Sequence, residues 1–535
     1  MSLDRPCRTL CSLIAVAACL LCLAAHTAHS LDADVSFTET AELVSGGTNS
    51  FDEFGHAVDL DGDTMIVGAW FDDPNGSSSG SAAVFQRDGS GEWTEVAELS
   101  APDGQPGDNF GSAVAISGDW AIVGARGGYD GRGVAYVFAR DIGGPDAWGF
   151  FTELRPSDSQ TGEAFGDAAA LSGDTAIIGA PERDGLTGDG SGAAYIFQRD
   201  AGGPSNWGEV AILTAPDPES GDHLGSAVGI SGSWALAGAP GDADAGQTAG
   251  AGYLFERNAG GADNWGFVTK LLASDGSDGD GLGTAVDVSG ETLVVGAEDA
   301  DSPHDQQGAA YVYERDAGGP DNWGEVAKLT AIDGAAFDGF GAAVAIRDET
   351  IAVGVKLDDD LGQSSGSAYL FRRDEGGPDN WGKIAKLITS DGEGGDRFGA
   401  AVAVDGSTLA ASAEADDERG SNSGSVYLFD EILVDPALVV TGNCPGDVTF
   451  NFTGATPLGQ AALTYSQEIG DSVIPSGICA GTESDLAVIN LLGILPTDAA
   501  GEISLDVSLP FFVCDLQLQA VDLVSCATSN VTTLP

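Results

Sequence analysis

Acidic side chains are the residues of this sequence best placed to do chemistry, and they recur in set patterns. Aspartates stand in pairs or triplets at Asp72-Asp73, Asp242 and Asp244, Asp299 and Asp301, Asp358-Asp359-Asp360 and Asp416-Asp417, the last followed by Glu418; glycine and serine follow most of them. Such a string offers several carboxylate oxygens around a backbone that glycine lets turn, the donor set that Ca2+ accepts in flexible geometry. A second set is single: Asp52, Asp108, Glu163, Asp222, Asp280, Asp338 and Asp396 each stand two residues before a Phe-Gly or Leu-Gly pair. A third, Asp103, Asp158, Asp217, Asp275, Asp333 and Asp391, lies ten residues after a tryptophan. Aspartate also satisfies local backbone N–H groups in turns. The single acids are therefore read as turn formers, and the clusters either as Ca2+ sites or as a solvated face that keeps the protein soluble in salt.

Other chemistry has little material. After the first thirty residues only His56, His223 and His304 remain, none with metal-ligand spacing. Gly76-Ser-Ser-Ser-Gly80 and Gly362-Gln-Ser-Ser-Gly366 match the nucleophile-elbow pattern, but both fall in Gly/Ser-rich connections between strands, whereas an elbow needs a strand-to-helix turn. No catalytic residue is assigned. Paired carboxylates at the roughly 5–9.5 Å that glycosidic chemistry requires are invisible in sequence, so a polysaccharide hydrolase or lyase stays as the alternative, beside a structural envelope protein whose acidity is an adaptation to salt.

The elements that position these acids repeat. Phe54-Gly55, Phe110-Gly111, Phe165-Gly166, Leu224-Gly225, Leu282-Gly283, Phe340-Gly341 and Phe398-Gly399 follow one another at intervals of 55–59 residues. Each unit reads as four short strands of alternating apolar residues with Gly, Asp and Ser turns, as in 340–346, 350–354, 366–371 and 381–387. The fourth-strand tryptophans Trp93, Trp148, Trp207, Trp265, Trp323 and Trp381 each precede the next Phe/Leu-Gly pair by 17 residues. The seventh unit has none; instead Phe37-Thr-Glu-Thr-Ala-Glu-Leu43 matches Trp93-Thr-Glu-Val-Ala-Glu-Leu99 and stands 17 residues before Phe54. A chain that starts with the outermost strand of its last unit gains by closing a ring, which removes exposed sheet edges. The expected fold is all-β: a seven-bladed β-propeller over residues 31–431, closed by an N-terminal strand. The connections between strands 2 and 3 and between strands 4 and 1 then leave one face of the ring, which is anionic. Aromatics of the third and fourth strands fill the space between blades.

These units resemble FG-GAP repeats, known from integrin α-subunit propellers and exported bacterial proteins. Phe165-Gly166 with Gly179-Ala180-Pro181, and Leu224-Gly225 with Gly238-Ala239-Pro240, carry both name-giving elements. Trp70, Arg126, Glu298, Lys356 and Glu414 stand where the pattern has proline. The resemblance implies the propeller and is much less specific for function. Integrin-type repeats often hold Ca2+ in a long acidic loop between the first two strands; here that turn is short, and only Asp59, Asp61 and Asp63 keep three acids.

Composition sets the remaining expectations. The 535 residues hold 21 Lys and Arg against 83 Asp and Glu, a formal charge of −62, with 42% hydrophobic residues. That charge repels phosphate backbones, so no nucleic acid is expected as partner, while the apolar content supports folding. Residues 1–30 read as a signal peptide, with Arg5 and Arg8, an apolar run and Ala28-His29-Ser30. Val16-Ala17-Ala18-Cys19 also matches a lipoprotein box, but the apolar run continues past it, so anchoring through Cys19 is disfavoured though left open. No other stretch reaches the ~18 apolar residues of a membrane span. The remaining cysteines, Cys444, Cys479, Cys514 and Cys526, fall in residues 432–535, read as a small β-sandwich stapled by two disulfides of undetermined pairing. The expectation is a monomeric secreted or cell-surface protein, non-catalytic, that binds or adheres to an extracellular protein or glycan with possible dependence on Ca2+.

Overall fold

The computed structural model describes residues 35–433, apart from 186–189, 204–205, 302–303, 376 and 378–379, and the backbone of the strands between 437 and 533. Residues 37–431 form one compact unit. It is the seven-bladed propeller: six four-stranded antiparallel sheets occupy 54–99, 110–154, 169–213, 228–271, 285–329 and 343–387, each ordered 1-2-3-4 from the inside out. The seventh takes three strands from 398–433 and its outermost one from Val35–Leu43, so the two ends of the unit share one sheet. The third-to-fourth strand ladder carries a β-bulge in blades 1 to 6, which adds to the twist of each blade.

The Phe-Gly and Gly-Ala pairs interlock neighbouring blades. Gly111 has φ +93°, and a Cβ there would come within 2.3 Å of the Ser81 carbonyl oxygen. Its contact across the seam, Gly68, would place a Cβ 2.1 Å from the Gly111 oxygen. Only glycine at both positions lets the backbones approach this closely. The adjoining Phe54, Phe110, Phe165, Phe340 and Phe398, with Leu224 and Leu282, are at most 1% exposed. Seven hydrophobic clusters among the described residues each span two adjacent blades, so the core is distributed around the ring rather than gathered at a centre.

The inner ends of the first strands are linked blade to blade. The Gly118 N–H donates to Asp61, Gly173 to Ser117, Gly232 to Ser172, Gly290 to Ser231, Asp348 to Ser289 and Gly62 to Asp405, at 2.5–3.2 Å. Between blades 6 and 7 the link is an ion pair, Arg347 Nε to Asp405 at 3.2 Å. This belt encircles an axial cavity of about 530 Å3 lined by first-strand residues.

The strands after residue 432 form a second unit, with antiparallel sheets of three, four and two strands. The segment 1–30 and the cysteines Cys444, Cys479, Cys514 and Cys526 lie outside the described residues. No described helix is long and apolar enough to cross a membrane.

Candidate functional site

All seven single acids serve as turn formers. Each carboxylate accepts the backbone N–H three residues before it, Asn49 to Asp52, Gln105 to Asp108, Gln160 to Glu163, Glu219 to Asp222, Ser277 to Asp280, Ala335 to Asp338 and Glu393 to Asp396, at 2.5–2.7 Å. Burial nevertheless raises several of them, Asp52 to about 6.

The acids ten residues past each tryptophan meet a tyrosine of the third strand. The hydroxyls of Tyr136, Tyr195, Tyr253, Tyr311, Tyr369 and Tyr427 donate to Asp103, Asp158, Asp217, Asp275, Asp333 and Asp391 at 2.6–3.1 Å. Next to this pair sits the second-to-third strand loop, where the clustered aspartates were expected to hold Ca2+. In blade 4 the ammonium of Lys270 lies 2.7 Å from Asp242, 2.6 Å from Asp244 and 3.3 Å from Asp217. In blade 6 Lys386 takes the same place, at 2.8 Å from Asp358, 2.6 Å from Asp360 and 3.0 Å from Asp333. In these two blades a lysine of the fourth strand stands among the acids that one of the two sequence readings gave to Ca2+. Blade 5 pairs Lys328 with Asp275 at 2.7 Å, blade 3 pairs Arg183 with Asp158 at 2.6 Å, and blade 2 places Arg155 against Glu153 at 2.5 Å.

Blade 7 breaks this pattern. The position cross-strand from the tyrosine, lysine in blades 4 to 6, is Glu42 of the N-terminal strand. Tyr427 lies between Asp391 and Asp416 at 3.1 and 2.9 Å, and Glu42 accepts the Ser425 hydroxyl at 3.2 Å. Burial, then the neighbouring charges of Asp391, Asp416 and Glu418, push Glu42 up to about 7. Among the described residues no ion pair reaches these four carboxylates. In blade 1 the equivalent Glu98 stands near Asp72, and burial and that charge raise it as well.

The other clustered acids cap their own loops. Asp73 accepts the Ser78 N–H, Asp301 that of Gln306, Asp359 that of Ser364 and Asp417 that of Asn422, at 2.6–2.9 Å. Asp299 is raised by burial and by Glu298 beside it. Asp59, Asp61 and Asp63 do not converge. Asp59 accepts two N–H groups of the inner strands, from Leu60 and Ile116, Asp61 belongs to the axial belt, and Asp63 pairs with Arg87 at 3.0 Å. The serine motifs at 76–80 and 362–366 sit between strands, without a following helix. Two arginines before the third-to-fourth strand loops pair with acids of their own blades, Arg199 with Asp174 and Arg315 with Glu291, each at 2.7 Å.

One group of side chains was not singled out from the sequence as a site. At each seam the residue after the second-strand Gly-Ala faces those flanking the next Phe/Leu-Gly pair. Asp167 holds Arg126 at 2.9 Å, and Arg126 lies 4.8 Å over Trp70. Trp70 stacks on His56 at 3.9 Å, and His56 Nδ1 is 3.3 Å from Glu414. Further round, Lys356 pairs with Glu298 at 3.2 Å. The signal in the sequence was the set of departures from proline at this one register. On the adjoining fourth-to-first strand loops Phe51, Ile332 and Phe337 are 63%, 87% and 59% exposed.

A family model described as FG-GAP repeat matches the chain seven times, at residues 37–85, 93–138, 148–197, 207–255, 265–313, 323–371 and 381–429, more than half of its length. No curated protein matches it.

Proposed function

The chain belongs to the FG-GAP repeat family, and from that premise we propose that it is a non-catalytic binding module, exported to the cell surface or secreted, that recognises an extracellular protein or glycan through its acidic loop face. The observation that carries this reading is where the seven-fold pattern fails. Core, belt and turn caps repeat around the ring, as a scaffold must; the seam residues and the exposed Phe51, Ile332 and Phe337 do not. Large exposed apolar side chains can anchor the centre of a binding surface, and Ile332 and Phe337 stand five residues apart on one loop.

Calcium is proposed at blade 7, where Glu42 replaces the lysine of blades 4 and 6 and feels the charges of Asp391, Asp416 and Glu418; the four carboxylates would draw together around the ion. Ca2+ accepts four carboxylates and tolerates irregular geometry. The tail is proposed as a β-sandwich whose four cysteines pair in two disulfides; non-reducing peptide mass analysis would find two cross-linked pairs, and four free thiols would remove that assignment.

Binding and turnover on a panel of polysaccharides and immobilised extracellular proteins test the main reading. Saturable binding without product, weakened at least tenfold in Phe337→Ser or Ile332→Ser, is expected. Product formation abolished by a single Asp or Glu substitution would replace it with the hydrolase or lyase.

A further inference from the structure

We propose that Glu53, His56 and Glu414 bind one divalent transition-metal ion across the seam where blade 7 closes on blade 1, with Zn2+ the ion that their donors fit. Glu53 and His56 flank the Phe54-Gly55 pair of blade 1, and Glu414 follows the second strand of blade 7. Each offers one ligand atom, and the three atoms lie within 4.8 Å of one another, among half-buried side chains. Ligands on a tetrahedral Zn2+ stand roughly 3.4 Å apart, so the cluster needs to contract only modestly, which two glutamates with free torsions allow. One imidazole nitrogen with two carboxylates suits Zn2+ or its first-row neighbours; an all-oxygen set would suit Ca2+.

The groups around the three side chains hold them in place. Trp70 stacks parallel to His56, with ring centroids 3.9 Å apart and planes 7° apart. The Trp70 indole N–H donates to Glu53 Oε2 at 2.8 Å, and Arg397 contacts Glu414 Oε1 at 3.4 Å while Oε2 faces His56. These are the supporting contacts that orient ligands in metal sites. Arg397 is about half exposed and free to turn outward.

Comparison between seams gives a second, independent argument. At the three equivalent positions of each of the other six seams, at most one residue is His, Cys, Asp or Glu. This seam is also the one that lacks the paired glycines, with Ser412 facing Gly55. It joins residues 358 positions apart in the chain. A metal here would fasten the closure of the ring where the backbone interlock is weakest.

The test uses the full chain stripped with a chelator, then titrated with Zn2+ by calorimetry and with Co2+ by visible absorption. One ion per chain is expected, with Co2+ d–d bands of nitrogen and oxygen ligation. Affinity should fall at least tenfold in His56→Ala and in Glu414→Gln, and stay unchanged in Glu42→Lys, which separates this site from the proposed Ca2+ site. If His56→Ala does not fold, Glu53→Gln preserves side-chain size and carries the test. Absence of saturable Zn2+ uptake, or uptake unaltered in these variants, would overturn the proposal.

Discussion

At the scale of single residues, the clustered acids of blades 4 and 6 are set against lysines of the protein itself. Lys270 is the clearest case, because its ammonium faces Asp242, which is 3% exposed, and two further aspartates. Removing one partner of such a group leaves a carboxylate shielded from water and uncompensated. Lys270→Met is therefore expected to cost roughly 2–3 kcal/mol in denaturant unfolding; a loss under 0.5 kcal/mol would show that the triad is solvated. None of this pairing was read from the sequence. The aspartates were legible as clusters, but their partner lies across a strand pair, and Lys270, Lys328 and Lys386 look like ordinary surface lysines until the ladder sets Lys270 opposite Tyr253. The turn-forming role of Asp52 and its equivalents was legible, because one acid at one register in every unit points to the backbone.

At the scale of strands and turns, the repeat motif is a description of the blade seam. Gly111 and Gly68 touch through their backbones, and Phe110 plugs the space behind them. Gly111→Ala combines a left-handed backbone with a collision against Ser81 and should cost about 2–4 kcal/mol. Gly118→Ala, with φ +57° but nothing within 4 Å of the new methyl, should cost only about 1 kcal/mol. Equal costs for the two variants in parallel denaturant titrations would mean that the seam yields. Seven blades and the displaced first strand were legible because each unit carried the same pair at nearly the same interval. The metal cluster at the closing seam was not: Glu53, His56 and Glu414 come from opposite ends of the ring and share no spacing in the sequence. The disulfide expectation for Cys444, Cys479, Cys514 and Cys526 falls outside the described residues, in a tail whose sequence has no repeat to set its register.

At the scale of the whole molecule, the chain carries a formal charge of −62, and the carboxylates of its ring titrate unevenly. Burial raises Asp59 to about 7, Asp287 and Asp52 to about 6 and Glu42 to about 7. A carboxylate raised on folding contributes stability that is fully present below its unfolded value near 4 and is lost as pH rises through its folded value. Asp217, Asp275 and Asp333, held low by their tyrosine and lysine partners despite burial, contribute in the opposite sense and lose their share only as pH falls below about 4. The metal-free protein should therefore be most stable at about pH 4–5, and its unfolding midpoint should fall between about pH 5 and 7.5; a midpoint that rises over that window would contradict these assignments. The account rests on one contrast: lysine stands among the acids of blades 4 and 6, whereas in blade 7 Glu42 takes its place, and there calcium is proposed to bind. Thermal unfolding of wild type and Glu42→Lys across a calcium titration, from chelator upward and against magnesium and sodium at matched ionic strength, tests that contrast directly. Wild type should gain a calcium-specific rise of roughly 2.7 kcal/mol at a hundredfold excess over the dissociation constant, and Glu42→Lys should start more stable and gain nothing. A calcium response equal in both proteins, or in neither, would contradict it.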